Sequence, residues 1–295
     1  MQRKDFLEHV AWTGAGIAYA LSAGGLMTGT ALARGVTGPI DFVQISDSHI
    51  GFHQEANPDV SGTLQAAVKA INALPDQPKF VIHTGDVTHL SKPEQFGTAK
   101  DILGQLRAPL IVIPGEHDFI GKDNNSFFKA FPTPKGGKQW FSWDQGGTHF
   151  VALINVFDFE KMGLLGNDQL AWLQRDLAAQ SLSTPIVVFT HAPLYALFPA
   201  WGWTTEDGTK AIAMLRPFDN VTVLSGHIHQ VVTHQEGNIR FASADATAYP
   251  QPAPGKADKP GPLALPHDRL LRAIGYRNVV LEKGHAAVID DRRFA

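Results

Sequence analysis

The 295-residue sequence contains no cysteine. That absence excludes disulfides, thiolate metal ligands and a cysteine nucleophile together. An excess of one charge is missing as well. Lys plus Arg number 25 against 28 Asp plus Glu, a net −3, so no overall electropositive field points to nucleic acid or an anionic bilayer. No internal repeat or heptad pattern is present, which excludes solenoids and coiled coils. What the chain does have is core material: 44% of residues are hydrophobic and 18% charged, a balance that excludes general disorder. Any bound metal must rest on imidazole, carboxylate or amide groups, so the spacing of the 13 histidines becomes the decisive question.

Residues 1–33 stand apart from the rest. Arg3-Lys4 is followed by Phe6-Leu7, and an uncharged, Gly/Ala-rich apolar run extends from Val10 to Ala33. The run closes on Ala31-Leu32-Ala33, the small-x-small pattern that a signal peptidase accepts. Its length would also suit an N-terminal membrane anchor, but its many glycines favour a cleaved signal. Arg-Lys-x-Phe-Leu resembles a twin-arginine export signal, with Lys4 in place of the second Arg. The expectation is an exported, periplasmic mature chain starting near Arg34, with residues 38–295 as a single domain and no membrane contact unless the first segment is retained.

Beyond that segment, short β-rich apolar runs alternate with longer amphipathic ones, the pattern of an α/β protein with much parallel sheet. Strands are expected at Ile40–Ile45, Lys79–His83, Leu110–Ile113, His149–Asn155, Ile186–Phe189 and Val221–Leu224. Helices are expected at Leu64–Leu74, Phe96–Leu106 and Gln169–Ala179. Hairpins are expected at Val231–His234 with Ile239–Ser243, and at Tyr276–Leu281 with Ala286–Asp290. Two stretches, Ala192–Asp207 and Tyr249–His267, read as irregular. Phe198, Trp201 and Trp203 in the first of them follow His191 closely and are candidates to wall a substrate pocket, against a nucleobase or a lipid chain.

Five polar clusters follow apolar strands: Asp47-Ser48-His49, Gly85-Asp86, Gly115-Glu116-His117-Asp118, His191, and Gly226-His227-Ile228-His229. In open α/β sheets, ligands bind beyond the carboxyl ends of strands. Each cluster alone is weak, since a lone His after a strand is commonly a hydrogen-bonded structural residue. Read as a strand, His227-x-His229 would point both imidazoles one way. The ordered set is a different matter. Imidazole and carboxylate together suit Zn, Mn or Fe, and two adjacent cations need a shared carboxylate, for which Asp86 is placed.

The set resembles the calcineurin-like metallophosphoesterase family, whose pattern is D-x-H, G-D, G-N-H-D/E, H and G-H-x-H. The resemblance covers residues 41–229 and implies a two-sheet mixed β-sandwich flanked by helices, a four-layer αββα arrangement. It implies that Asp47, His49, Asp86 and His229 hold one divalent cation, and that Asp86, Glu116, His191 and His227 hold a second. By the same resemblance His117 faces the substrate as a catalytic group, with Asp118 as its orienting partner, and water activated between the cations attacks a small-molecule phosphate ester. Both phosphomonoesters and phosphodiesters fit that reading. Glu116 departs from the family's usual Asn; its added charge favours harder ions such as Mn or Fe over Zn. His89, where the family often has Asp or Asn, and His53 are expected to be solvent-facing loop residues. A non-catalytic metal-binding or sensor protein on the same fold is the competing class, with Glu116 its one supporting feature. A membrane-anchored phosphatase of lipid or cell-wall intermediates is the other.

Overall fold

A computed structural model describes residues 39–120, 125–133, 139–156, 163–282 and 285–295. Within residues 1–38 only the backbone of two short antiparallel strands is described, β1 (Tyr19–Ser22) and β2 (Gly25–Thr28). The expected export signal otherwise lies outside the described residues.

Strand periodicity sorts the apolar side chains into layers. Along β3 (Ile40–Ile45), Ile40 and Phe42 face one core while Val43 and Ile45 face another, because successive side chains point to opposite faces. β4 (Val81–Thr84) and β5 (Leu110–Ile113) continue the sheet in parallel with β3, and β12 (Gly275–Leu281) and β13 (Val288–Arg293) extend its other edge antiparallel. The second sheet runs β10 (Thr233–Glu236), β11 (Ile239–Ser243), β9 (Val221–Ser225), β8 (Ile186–Phe189), β7 (Thr148–Ala152) and β6 (Phe141–Gln145).

Between the sheets lies an aromatic-rich core. Phe42 stacks on Phe80 at 4.8 Å and Trp143 on Phe150 at 5.0 Å, with Phe189 edge-on to Phe42 at 5.6 Å. Burying each such ring contributes about 1.5–3 kcal/mol. The outer face of the five-stranded sheet packs against α1 (Val60–Asn72), α2 (Pro93–Leu103) and α3 (Asn125–Ala130). The outer face of the six-stranded sheet packs against α4 (Asn167–Ala178) and α5 (Gly208–Leu215). The layers are therefore α/β/β/α, as the resemblance implied. Arg277, fully buried on β12, pins the two sheets together. It donates to the carbonyl of Ser243 at 2.6 Å and to Gln44 Oε1 at 3.3 Å, with Asp291 at 2.7 Å on its Nε. Among the described residues no helix is long and apolar enough to cross a membrane.

Several boundaries differ from the sequence expectation. α1 starts at Val60 rather than Leu64, because Asp59 Oδ1 accepts the Gly62 N–H at 2.8 Å and caps the helix four residues earlier. The β6–β7 hairpin was not expected; its turn is Gly146-Gly147, both at positive φ. α5 was not expected either, nor was α6 (His267–Leu271).

Candidate metal centre

Of the parallel strands, β3, β4, β5, β8 and β9 each end in a polar cluster at the site. β3 delivers Asp47 and His49, β4 delivers Asp86, and β5 delivers the short 3-10 turn Glu116–Phe119. The six-stranded sheet supplies His191 after β8 and His227 and His229 after β9. Asp47, His49, Asp86, Glu116, His191, His227 and His229 are all buried. Five of the six non-glycine residues at positive φ among those described are Asp47, His49, Asp86, His227 and His229. Side-chain-bearing residues adopt that region only at a cost, and such strain concentrates at functional sites. His227 and His229, at φ 69° and 51°, sit in a bend and not on a strand. The expected side-by-side geometry of a strand pair is thus corrected: His227 turns its Nδ1 to Glu116, and His229 turns its Nε2 to Asp47.

Tight backbone approach makes this possible. Gly226 lies so close to Ser46 Oγ and Asp47 that a Cβ would collide with both, and the next N–H, of His227, donates to Asp47 Oδ1 at 3.1 Å. Gly85, at φ 101°, meets the His191 ring and the Gly115 backbone in the same way.

Hydrogen bonds fix which ring nitrogen faces inward. His191 Nδ1 donates to the Thr84 carbonyl at 2.7 Å, and His229 Nδ1 to the Tyr249 carbonyl at 2.6 Å. In the neutral rings the Nε2 atoms are then bare acceptors. Yet these acceptors face carboxylate oxygens: His191 Nε2 lies 2.7 Å from Glu116 Oε2, and His229 Nε2 lies 3.4 Å from Asp47 Oδ1. His49 Nε2 and His229 Nε2 are 3.2 Å apart. Glu116 Oε2, His191 Nε2 and both nitrogens of His227 are buried without an aligned hydrogen bond. Lone pair facing lone pair in a buried site calls for positive charge between them. The ligand atoms group as Asp47, His49, His229 and as Glu116, His191, His227, each set within 4.8 Å. Asp86 Oδ2 stands between the sets, 3.5 Å from His49 Nε2 and 3.6 Å from His191 Nε2. The donor set fits two cations that share Asp86.

In the ion-free site that positive charge is a proton on His191, whose place a bound cation would take. Burial pushes the Glu116 carboxyl up, but His227 and His191 outweigh it and hold it well below the usual range. Burial pulls His191 down, but Asp86 and Glu116 raise it far above the ordinary imidazole value. His49 is driven well below that value by burial and by its neighbours His117, His229 and His89.

His117 lies beside the cluster, partly exposed. Its N–H donates to Asp86 Oδ1 at 2.9 Å and its Nδ1 to the His89 carbonyl at 2.8 Å. Burial lowers its pKa, but Asp86, Glu116 and the His89 carbonyl outweigh burial and raise it. Asp118 departs from its expected role as the orienting partner of that ring. Its carboxylate accepts from the N–H groups of Val87, Thr88 and Gly115 at 3.1, 2.8 and 3.0 Å and from Thr88 Oγ1 at 2.9 Å. It clamps the Asp86 loop to the Glu116 turn. His89 is also corrected: it is half-buried, stacks on His117 at 4.9 Å, and places Nδ1 3.4 Å from His49 Nδ1. His53 is exposed. Trp203 is buried, with Trp201 edge-on at 5.0 Å, so its ring packs inside the fold instead of walling a pocket. Phe198 and Trp201 remain partly exposed.

Sequence reading missed three residues. Tyr249 holds His229 through its carbonyl and stacks on His49 at 5.0 Å. Asn155 accepts the N–H of His191 at 3.2 Å. His83 accepts the Gly85 N–H and so presents Nε2–H to Ser48 Oγ at 2.7 Å. Only His83, two residues ahead of Gly85, offered a sequence signal.

A helix-flanked double sheet with paired imidazole–carboxylate sets at its strand ends defines a metal-dependent phosphoester hydrolase. The calcineurin-like phosphoesterase family model matches residues 40–231, and the chain belongs to that family. It is 27% identical to a glycerophosphodiester phosphodiesterase of Enterobacter lignolyticus, over 66% of this chain and 71% of that protein. It is 24% identical to a 3',5'-cyclic-nucleotide phosphodiesterase of a Nostoc species, over 72% of this chain and 79% of that one. In fold it is similar to a dimetal phosphatase from Danio rerio, at TM-score 0.65 and 13% identity, over 87% of this chain and 96% of the other.

Proposed function

We propose that the chain hydrolyses small-molecule phosphate esters with two divalent cations, of which Mn, Fe and Zn suit the donor set. Asp47, His49, Asp86 and His229 would hold one ion, and Asp86, Glu116, His191 and His227 the other. The observation that carries the reading is the convergence of buried imidazole nitrogens and carboxylate oxygens, His191 Nε2 against Glu116 Oε2 above all. When bound, such a pair supplies Lewis acidity, bringing water near its ionisation point at neutral pH and drawing charge from phosphoryl oxygens.

The chain's own groups do the rest. Because the His89 carbonyl takes the Nδ1–H, a second proton on His117 sits on Nε2. From that position the imidazolium donates to the departing alkoxide as a general acid. Asp118 positions both loops that carry Asp86 and Glu116. The relatives named above support a small phosphodiester as the substrate.

We also read residues 1–33 as a twin-arginine-like export signal and residues 38–295 as one domain. The Arg3-Lys4 pair and Ala31-Leu32-Ala33 support the first reading, and the core shared by both sheets supports the second. The test of function is elemental analysis of the purified protein, with assays of that sample on an aryl phosphomonoester and an aryl phosphodiester. About two transition-metal ions per chain with turnover is the expected result. One ion or none after reloading would overturn the two-ion reading, and two ions without turnover would favour the sensor class.

A further inference from the structure

Glu116 adds a negative charge next to the residue that meets the substrate. Its carboxylate, the Asp86 carboxylate and a His117 ring nitrogen all lie within 4.8 Å of one another. Any phosphoryl group that reaches His117 is therefore within close Coulomb range of Glu116. The cluster holds three carboxylates, Asp47, Asp86 and Glu116, and among the described residues their ion-pair partners are imidazoles only: His229, His49, His191 and His227. No described Lys or Arg pairs with them to offset the third charge. Compared with a neutral amide at position 116, Glu116 lowers the charge that meets the substrate by one unit, whatever the charges of His117 and of the attacking water. The repulsion it adds is about twice as large for a phosphomonoester dianion as for a phosphodiester monoanion, and in a buried site like charges repel strongly.

We infer that Glu116 is a specificity-determining residue that favours monoanionic phosphodiesters over dianionic phosphomonoesters by charge. This rests on the two-cation reading above. It makes the discrimination a matter of charge and not of pocket shape, so it holds for diesters of different alcohols.

The test uses binding as well as turnover. The full chain and its Glu116→Asn and Glu116→Gln variants are loaded with Mn and their ion content is measured. Inorganic phosphate, methyl phosphate and dimethyl phosphate are then titrated calorimetrically at about pH 8, where methyl phosphate is dianionic. The expected result is that either substitution tightens phosphate and methyl phosphate by about tenfold or more, while dimethyl phosphate changes far less. Equal shifts for all three probes, or no tightening of the dianions, would overturn the proposal. Should the variants lose an ion, the wild-type chain decides by itself: it should bind dimethyl phosphate at least as tightly as methyl phosphate, and a clear preference for methyl phosphate refutes the charge argument. A chain that binds and cleaves both ester classes equally keeps the hydrolase reading and loses this one. If none of the probes binds the ion-loaded chain, the hydrolase reading fails and takes the proposal with it.

Discussion

His117 Nδ1 sits 2.8 Å from the carbonyl oxygen of His89, and the His89 ring stacks on the His117 ring at 4.9 Å with an interplanar angle of 17°. The carbonyl assigns the tautomer and the ring restricts the tilt. His117→Ala should then lower turnover by about 10²–10⁴-fold, the usual range for a general acid, with ion content nearly unchanged. Loss of both ions would make His117 a ligand instead. His89→Ala keeps the carbonyl, so its turnover should stay within about tenfold of wild type, as for loss of a supporting contact. Steady-state kinetics and elemental analysis of the two variants separate these outcomes.

Asp118 is surrounded by four donors from Val87, Thr88 and Gly115. Asp118→Asn places an amide NH₂ against backbone N–H groups on one side. The expected cost is about 1–3 kcal/mol of stability, read by urea unfolding of the ion-free protein. Ion affinity should fall by about 10–100-fold, because the loops bearing Asp86 and Glu116 lose their common anchor. A variant with wild-type stability and affinity would show that the clamp is dispensable.

Away from the centre, His149 lies between Asp144 at 2.7 Å and Asp176 at 2.9 Å. Burial lowers its pKa, but the hydrogen bonds and charges of those carboxylates outweigh it and raise it to about 9. A raised histidine stabilises the fold fully below its unfolded value of about 6.5 and loses that contribution as pH rises through about 9. Asp144 is 64% exposed, so screening reduces the effect to about 1–3 kcal/mol. Melting temperature should fall between about pH 6.5 and pH 10, and His149→Gln should flatten that slope. An unchanged slope in the variant would assign the alkaline loss to other groups.

If residues 1–33 are an export signal, protein recovered from the periplasm should begin near Arg34 on N-terminal sequencing. Recovery of chains that retain Met1 in the membrane fraction would favour the anchored alternative.

Much of the site could be read from sequence because ligand chemistry needs particular side chains and parallel strands bring their ends together. Asp47, His49, Asp86, Glu116, His191, His227 and His229 are such side chains, each just past an apolar run. What escaped reading depends on backbone. The carbonyls of Thr84, Tyr249 and His89 select the ring nitrogens of His191, His229 and His117, and every residue has a carbonyl. The left-handed bend at His227 and His229 was hidden because neither residue type requires it; the neighbouring Gly226 was the available cue. Asp118 was given to the nearest ring in sequence, whereas the fold brings three N–H groups from two loops to it. The β6–β7 hairpin was legible in principle from Phe141, Trp143 and the Gly146-Gly147 pair, but so short a run is easily passed over.

The carboxylates of the centre all come from the five-stranded sheet, on Asp47, Asp86 and Glu116, while the six-stranded sheet contributes His191, His227 and His229 alone. Neither half carries a complete cage. An ion held there would act as a rivet between two plates, its ligand set complete only once both plates are aligned. Its binding energy would then be folding energy for the seam between the sheets. Ion occupancy in a population of these molecules would count those whose halves have docked correctly.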